Sequence, residues 1–427
     1  MRRTALVLAA AGVAVASPAH ATNGMRMIGF GPVQNSMGGV GVGATLDGAC
    51  VVSNPAGLAD LGMRLDLGLG FFKPAVDYRA TESSLPPGFQ GAVVARPDAR
   101  IDSGRGGSPI PLVALVLPVA PRLAVGLGLS AVAGMGVDYP ANLYGGPTYS
   151  SYLQARLTPA VSYRLNDLLS FGLGVNAMVA QMKFDVARGF GQMPHDTATS
   201  LGIGAVAGVK VTPVRMLTFG LAYETKSFFQ DFSFDIPRHD GMDPRTFTPV
   251  PGIPAGTDTL TFHQPQSATI GASVRPVERL LVAADVQWID WAQTNGTGKP
   301  AYAASPSGAM PWSLGWSSRW VFKLGAAVAV TPELEIRAGY DYGKMPLDAG
   351  RAFENIAFPA VAEHHVTAGA GYAVSDHLTV NLAAMVSPRA TISGANAAYP
   401  AQGGQAIASY QSGMSQFQVD LGVGWRP

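Results

Sequence analysis

Few residues in this chain are spaced for covalent chemistry. The adjacent His364 and His365 would point to opposite faces of a strand, a poor geometry for gripping one metal ion. Gly202-Ile203-Gly204 and Gly422-Val423-Gly424 lack the third glycine and following helix of a dinucleotide loop. No G-x-x-x-x-G-K-[ST], G-x-S-x-G or H-E-x-x-H occurs. Cys50 is the only cysteine, so it has no internal disulfide partner and reads as a small buried residue. These readings lead to no catalytic residue, no metal and no cofactor. The enzymatic alternative is a Ser and His assembled across strands, as in barrel lipases.

What remains is charge at alternating positions. Asp66, Arg156, Lys210, Glu224, Asp285, Lys323, Glu335, Arg337 and Asp341 fall on the face opposite an apolar dyad. The chemistry open to them is anion recognition. Arg156, Lys323 or Arg337 would meet a substrate carboxylate through a charge-assisted bond, which is strong in a partly dry pocket. The competing reading is a set of charges that pair with one another inside a barrel. An uncharged hydrocarbon would need none of these cations.

The elements that must carry these residues are strands. Phe417, Val419, Leu421, Val423 and Trp425 alternate with Gln418, Asp420, Gly422 and Gly424. Leu65, Leu67, Leu69 and Phe71 follow the same rule, as do Phe171, Leu173 and Val175. A period of two sends one set to each face of a strand. Many such stretches run roughly 10 to 18 residues, long enough to cross a bilayer at a tilt. Charged residues make up only 13% and the mean hydropathy is +0.19, against about a quarter charged in soluble domains.

The N-terminus supports export. Met1-Arg2-Arg3 precedes an uncharged apolar run and Ala19-His20-Ala21, which reads as a signal peptide over 1–21 cleaved near Ala21. Losing Arg2 and Arg3 takes 29 basic residues to 27 against 28 acidic, a balance of −1. That balance carries no nucleic-acid footprint. The apolar run between Pro109 and Pro121 is too short and too broken by Pro111 and Pro118 for a spanning helix.

Tight turns at Ala120-Pro121-Arg122, Asn166-Asp167, Thr212-Pro213, Pro276-Val277-Glu278, Thr331-Pro332-Glu333 and Ser375-Asp376 alternate with long polar links. This rhythm predicts fourteen strands: 64–79, 109–119, 122–139, 151–164, 169–187, 198–211, 216–236, 259–275, 280–291, 319–330, 334–346, 361–374, 377–390 and 413–426. The fold class is all-β: a transmembrane antiparallel barrel over 64–427, monomeric, with short turns periplasmic, in a Gram-negative outer membrane. Residues 22–63 break the rhythm. Met25, Met27, Ile28, Phe30, Met37, Val40, Val42 and Leu46 are too apolar for a solvated tail, so this stretch reads as a hatch folded into the lumen. In its Asn54-Pro55-Ala56-Gly57 turn the proline fixes φ and the glycine permits φ > 0. Tyr139, Tyr144, Tyr149, Tyr152, Trp312, Trp316 and Trp320 read mostly as interfacial girdle, with some lining an external capture groove beside Leu143, Met310 and Leu314.

The mature chain resembles the FadL long-chain fatty-acid transporters, a family that includes the TodX aromatic-hydrocarbon channels. The resemblance lies in Asn35 to Ala44, in Val52-Ser53-Asn54-Pro55-Ala56-Gly57-Leu58, in Asp285 to Trp291, and in the run from Lys323 through Arg337–Tyr342 to Gly369–Tyr372. One departure is Arg426-Pro427 after Trp425, where such barrels usually stop on an aromatic residue. The resemblance implies passive uptake of hydrophobic small molecules, foremost long-chain fatty acids. Capture would occur at the loops, binding in the lumen, and release sideways through a kinked third strand, in a barrel placed by the barrel-assembly machinery among outer-membrane lipid. Ala133-Gly134-Met135-Gly136 interrupts the third strand here, and Gly134 and Gly136 are the expected kink. The rival readings are a general porin or structural barrel, an exported soluble β-protein that would stay in solution without detergent, and, less favoured, an outer-membrane lipid hydrolase.

Overall fold

A computed structural model describes residues 23–83, 99–140, 148–185, 194–242, 249–307, 313–352, 354–395 and 408–427. The expected signal peptide therefore lies outside the described residues, as do Leu143, Tyr144, Met310 and Trp312.

Fourteen long strands form a closed antiparallel ring. They are β1 Arg64–Ser83, β2 Ser108–Ala120, β3 Leu123–Tyr139, β4 Thr148–Arg164, β5 Leu169–Asp185, β6 His195–Val214, β7 Leu217–Glu224, β8 Ser267–Val277, β9 Leu280–Ile289, β10 Arg319–Ala329, β11 Leu334–Gly343, β12 His364–Ala373, β13 Leu378–Ala395 and β14 Ala408–Trp425. The sheet holds 16 strands in all; two short ones, Arg100–Asp102 and Phe228–Phe229, each touch a single neighbour, and 16 − 2 leaves the ring. It closes where β1 pairs with β14 from Leu65↔Trp425 and with β2 from Arg64↔Val116. Closure leaves no strand edge facing lipid, which a membrane barrel requires.

The dyad is inverted relative to a soluble sheet. Leu69 is 61% exposed and Leu421 57%, while Asp66 and Asp420 between them are 5% and 2% exposed. The apolar set faces out and the polar set is enclosed, as hydrocarbon outside and a filled lumen inside demand. All nine charged positions expected to face inward do so, and the six tight turns lie on one rim.

Two expected strands run too far. The stretch 216–236 ends its barrel strand at Glu224, and 259–275 starts its own only at Ser267. The intervening Phe232–Ile236 pairs with Gly256–Thr261, which pairs on its other edge with Ala301–Ala304, in a separate three-stranded sheet. Their apolar residues keep the alternation, but they roof the lumen instead of facing lipid: Phe232, Phe234 and Leu260 are buried. The girdle reading fails in the same way for Tyr139, Tyr152 and Trp316, which are buried inside, as is Leu314 of the expected groove. Trp320, 57% exposed on β10, fits a girdle.

Residues 23–63 make no strand of the ring. They form two short helices, α1 Gly31–Ser36 and α2 Cys50–Ser53, and a 3-10 turn at Pro55–Asp60. This segment touches lumenal positions all the way round the ring, so it lies within it. A Cβ on Gly220 would strike the Val42 carbonyl, one on Gly172 the Pro55–Ala56 peptide, and one on Gly339 the Gly38 backbone. The lumen face of the short-turn half is rich in glycine because a second backbone is seated on it.

Candidate functional site

The lumen has two halves of opposite chemistry. Toward the short turns, the N-terminal segment is pinned by charge. The Asp285 carboxylate accepts from the backbone N–H groups of Gly41, Val42 and Gly43 at 2.8, 2.9 and 3.0 Å. Asp66 accepts from Gly48 N at 2.8 Å, and Asn35 Nδ2 donates to Asp420 at 3.1 Å. Each of these carboxylates thus finds a donor on the segment, joined by Arg64 at Asp66 and Gln418 at Asp420, which is how such a charge is kept without a bulk-water shell.

Asn54 caps the 3-10 turn by accepting from Ala56 N at 3.2 Å, and its Nδ2 donates to the Val42 carbonyl at 3.0 Å and the Val209 carbonyl at 3.3 Å. Pro55 occupies the first turn, where a missing N–H costs nothing. The Ala56 carbonyl accepts from Ser162 Oγ at 3.0 Å. Gly57 departs from expectation: it is absent from the glycines with positive φ, and its lack of a side chain is used instead to pass Thr45, whose Oγ1 would lie 2.6 Å from a Cβ.

Of the three expected anion-binding cations, two lie near one another. Arg156 Nη1 bonds Glu224 at 2.7 Å and Nη2 the Val52 carbonyl at 3.2 Å, with the guanidinium 4.9 Å from the Phe30 ring centroid. Glu224 also pairs with Arg26. Arg26, Glu224, Asp285 and Lys323 line a polar cavity of about 60 Å³ between the segment and β7–β10. Lys323 Nζ donates to the Ile28 carbonyl at 2.6 Å. Arg337 stands apart, bonded to Glu335 at 2.6 Å and Asn381 at 2.9 Å. Cys50 is buried, and burial pushes its thiol far above the usual range. His365 faces in, 2.9 Å from Asp341, while His364 faces out against Tyr340.

Toward the long loops the lumen is apolar and aromatic. Tyr152, Phe262 and Phe358 form a chain of rings, with centroids 4.9 and 6.4 Å apart. Its polar groups are held in bonded sets: His195 Nε2 lies 2.9 Å from Asp258, and Trp316 Nε1 donates to Asn355 Oδ1 at 2.6 Å. Gln264 Nε2 donates to Tyr152 Oη at 3.0 Å, and that hydroxyl donates to Gln154 at 3.1 Å. Met25, Ala133 and Met135 belong to or pack against the same cluster, carrying it to the barrel wall.

At that point the wall is interrupted. The β2–β3 ladder stops at Leu112↔Ser130, although β1–β2 pairing continues to Phe72↔Ser108 and β3–β4 pairing to Tyr139↔Thr148. Pro109 and Pro111 explain the asymmetry. Successive residues of a strand direct their N–H groups to opposite neighbours, so prolines two apart remove donors on one edge. The ladder to β1 runs past both and the ladder to β3 does not. A bulge between Ala131 and Ala133 turns β3 inward. There it pairs with the N-terminal segment: Met27 N donates to the Val132 carbonyl at 3.2 Å, and Gly134 N to the Met25 carbonyl at 3.3 Å. The resulting opening is a cavity of about 440 Å³. Its lining joins the lipid-facing Leu153 and Val179 to Met27 of the segment inside, so it traverses the wall. Gly134 and Gly136 both border it.

The signals missed in the sequence were Pro109, read there only as the start of an apolar run, Pro111, read only as a helix breaker, and Met25–Met27 as the partner of β3.

Residues 10–405 match the family model described as outer membrane protein transport protein (OMPP1/FadL/TodX). Outer membrane protein P1 of Haemophilus influenzae is 26% identical over 310 residues, and the match covers 65% of each protein. The long-chain fatty acid transport protein of Escherichia coli O6:H1 is 22% identical over 313 residues, covering 64% of this chain and 68% of that one. Among solved structures, the toluene transporter TodX of P. putida superimposes with a TM-score of 0.70 at 18% identity, covering 94% and 99% of the two chains. A Pseudomonas aeruginosa FadL homologue gives 0.71 at 18% identity, with the same coverage. These structures share the fold of this chain.

Proposed function

We propose that this chain, which belongs to the outer membrane protein transport family of OMPP1, FadL and TodX, is a passive channel that takes hydrophobic compounds across the Gram-negative outer membrane and releases them sideways. The observation that carries this reading is the wall cavity between β2 and β3, apolar and reaching from lipid-facing side chains to Met27 within. A greasy solute gains free energy by staying against apolar surface, at roughly 25 cal/mol per Å² kept from water. The aromatic upper lumen and the wall cavity offer that surface at successive stages. A general porin would need an open aqueous lumen, whereas the N-terminal segment fills this one.

In this scheme, residues 22–63 act as the hatch, loops on the long rim admit the solute, and bent β3 with Gly134 and Gly136 is the lateral gate. Long-chain fatty acids are the favoured substrates. Lys323, which lines the small cavity, and Arg156, bonded to its Glu224 wall, support that choice, since a carboxylate entering there would compete with Glu224 and the carbonyls that now hold them. Arg337, bonded on the short-turn side, would meet a carboxylate only late in passage. Delivery to the membrane would be the work of the barrel-assembly machinery, and the channel would act as a monomer.

The test is a substitution that fills the opening without disturbing the fold. A Cβ on Gly134 would sit 3.6 Å from Leu153 Cδ2, an ordinary contact, whereas one on Gly136 would collide with the Ser150 carbonyl. Gly134→Val is therefore the clean variant, and Ala326→Val on the lipid face of β10 is its control. Uptake of labelled palmitate and labelled toluene should fall at least tenfold in Gly134→Val and remain unchanged in Ala326→Val. Wild-type uptake by a heat-modifiable, correctly assembled Gly134→Val protein would remove the gate from this site.

A further inference from the structure

The wall cavity is bounded above by chain that is not part of the ring. Ser103 N donates to the Val76 carbonyl of β1 at 2.8 Å, and Gly104 N to the Asp138 carbonyl of β3 at 2.7 Å. The stretch Ser103–Arg105 thus takes the place that β2 vacates and makes the upper sill of the opening. From that sill Arg105 reaches across β3. Its Nη1 donates to the Ser150 carbonyl and its Nη2 to Ser151 Oγ, both at 3.0 Å. It crosses at Gly136, where a Cβ would lie 2.9 Å from the guanidinium carbon. Absence of a side chain at 136 is thus what lets the cation into the opening.

Among the described residues, Arg105 is the one charged residue lining this cavity, and both of its partners there are neutral. A guanidinium carries five N–H donors in a planar fork suited to a carboxylate or phosphate, and two bonds are made here. Below it the lining turns apolar at Met27, Pro109, Pro111, Met135 and Leu153. One cation above an apolar slot complements a molecule with a single anionic head and a hydrocarbon tail.

We infer that Arg105 is a headgroup-binding residue at the lateral opening, where it holds the carboxylate of a departing amphiphile and sets the preference for fatty acids over neutral hydrocarbons. This rests on the lateral-release reading above. A charged hydrogen bond gained by the acid and denied to its ester gives a discrimination of about tenfold.

The test uses the full chain in nanodiscs of phosphatidylcholine. The probes are palmitate bearing a diazirine beside the carboxyl end and its methyl ester, with cross-links mapped by mass spectrometry. In the wild type both probes should label Met27 and Met135, the acid more strongly. Arg105→Gln should lower acid labelling about tenfold and leave the ester unchanged, and Arg105→Lys should restore much of the acid signal. Equal loss of both probes would make Arg105 a structural brace of the sill and overturn the proposal, and so would no change in either. Acid labelling that collapses to the ester level when phosphatidylglycerol is added would assign the guanidinium to lipid headgroups, again overturning it. Absence of window labelling by either probe in the wild type would instead remove the lateral-release reading itself.

Discussion

The wall at β2–β3 and the wall opposite it, β9–β11, are written in the same alternating code and differ in continuity. From Leu280↔Val328 to Ile289↔Arg319, and from Val321↔Gly343 to Ala329↔Glu335, the opposite ladders run without a register shift. Between β2 and β3 the ladder ends at Leu112↔Ser130, and a bulge follows. The segment inside the ring is held differently on the two sides. Opposite the opening, Asp285 grips three consecutive N–H groups; at the opening, two backbone bonds to Val132 and Gly134 are the link. A closed barrel can thus be tight where it anchors its segment and interrupted on the far side, with one dyad pattern serving both.

The largest expected effect comes from removing what both walls share. Deletion of 22–63 should leave a ring that still shifts on heating in a gel, because the strand-to-strand ladders of the ring do not pass through the segment. Its conductance in planar bilayers should rise from near zero to that of an open pore. Loss of the barrel would show that the segment is part of the folding core.

Weakening the anchored side alone should do less. Asp285→Asn removes the charge from three hydrogen bonds, at about 1–3 kcal/mol. It should speed amide exchange at Gly41–Gly43 by roughly 10- to 100-fold while β9–β10 amides stay protected. Equal exchange in both proteins would place the anchor elsewhere.

A smaller effect should follow pH. Burial, reinforced by the nearby Asp66 carboxylate, raises the Asp47 carboxyl to about 7 from an ordinary 3.8. The seated segment then binds more protons than the released one between those values. Its seating is firmest below about pH 4 and weakens as pH rises through 7. Amide exchange near Asp47 should accelerate over that range, and Asp47→Asn should flatten the profile.

Much of this was legible in the sequence. The fourteen strands, the tight turns and the inward placement of Asp66, Asp285 and Asp341 follow from a period of two, which reports the two environments directly. Phe232, Phe234 and Leu260 misled because alternation records a two-sided surface without saying whether lipid or lumen lies on either side. The opening was half-visible. Gly134 and Gly136 mark a flexible place, but Pro109 and Pro111 decide which neighbour is lost, and that depends on pairing partners a single chain does not declare. Gly220 and Gly339 looked like ordinary strand glycines because the backbone that needs their space is some 180 or 300 residues away in the chain. Arg105, an arginine in a polar loop, carried no signal at all.

The central claim is that solute leaves the lumen through the wall between β2 and β3. Anomalous diffraction from crystals grown with brominated palmitate tests it most directly. Bromine peaks should appear in the cavity bordered by Pro111, Gly134 and Met135. Peaks that instead trace a path past α1 and α2 to the short-turn rim, with none in the wall, would contradict it.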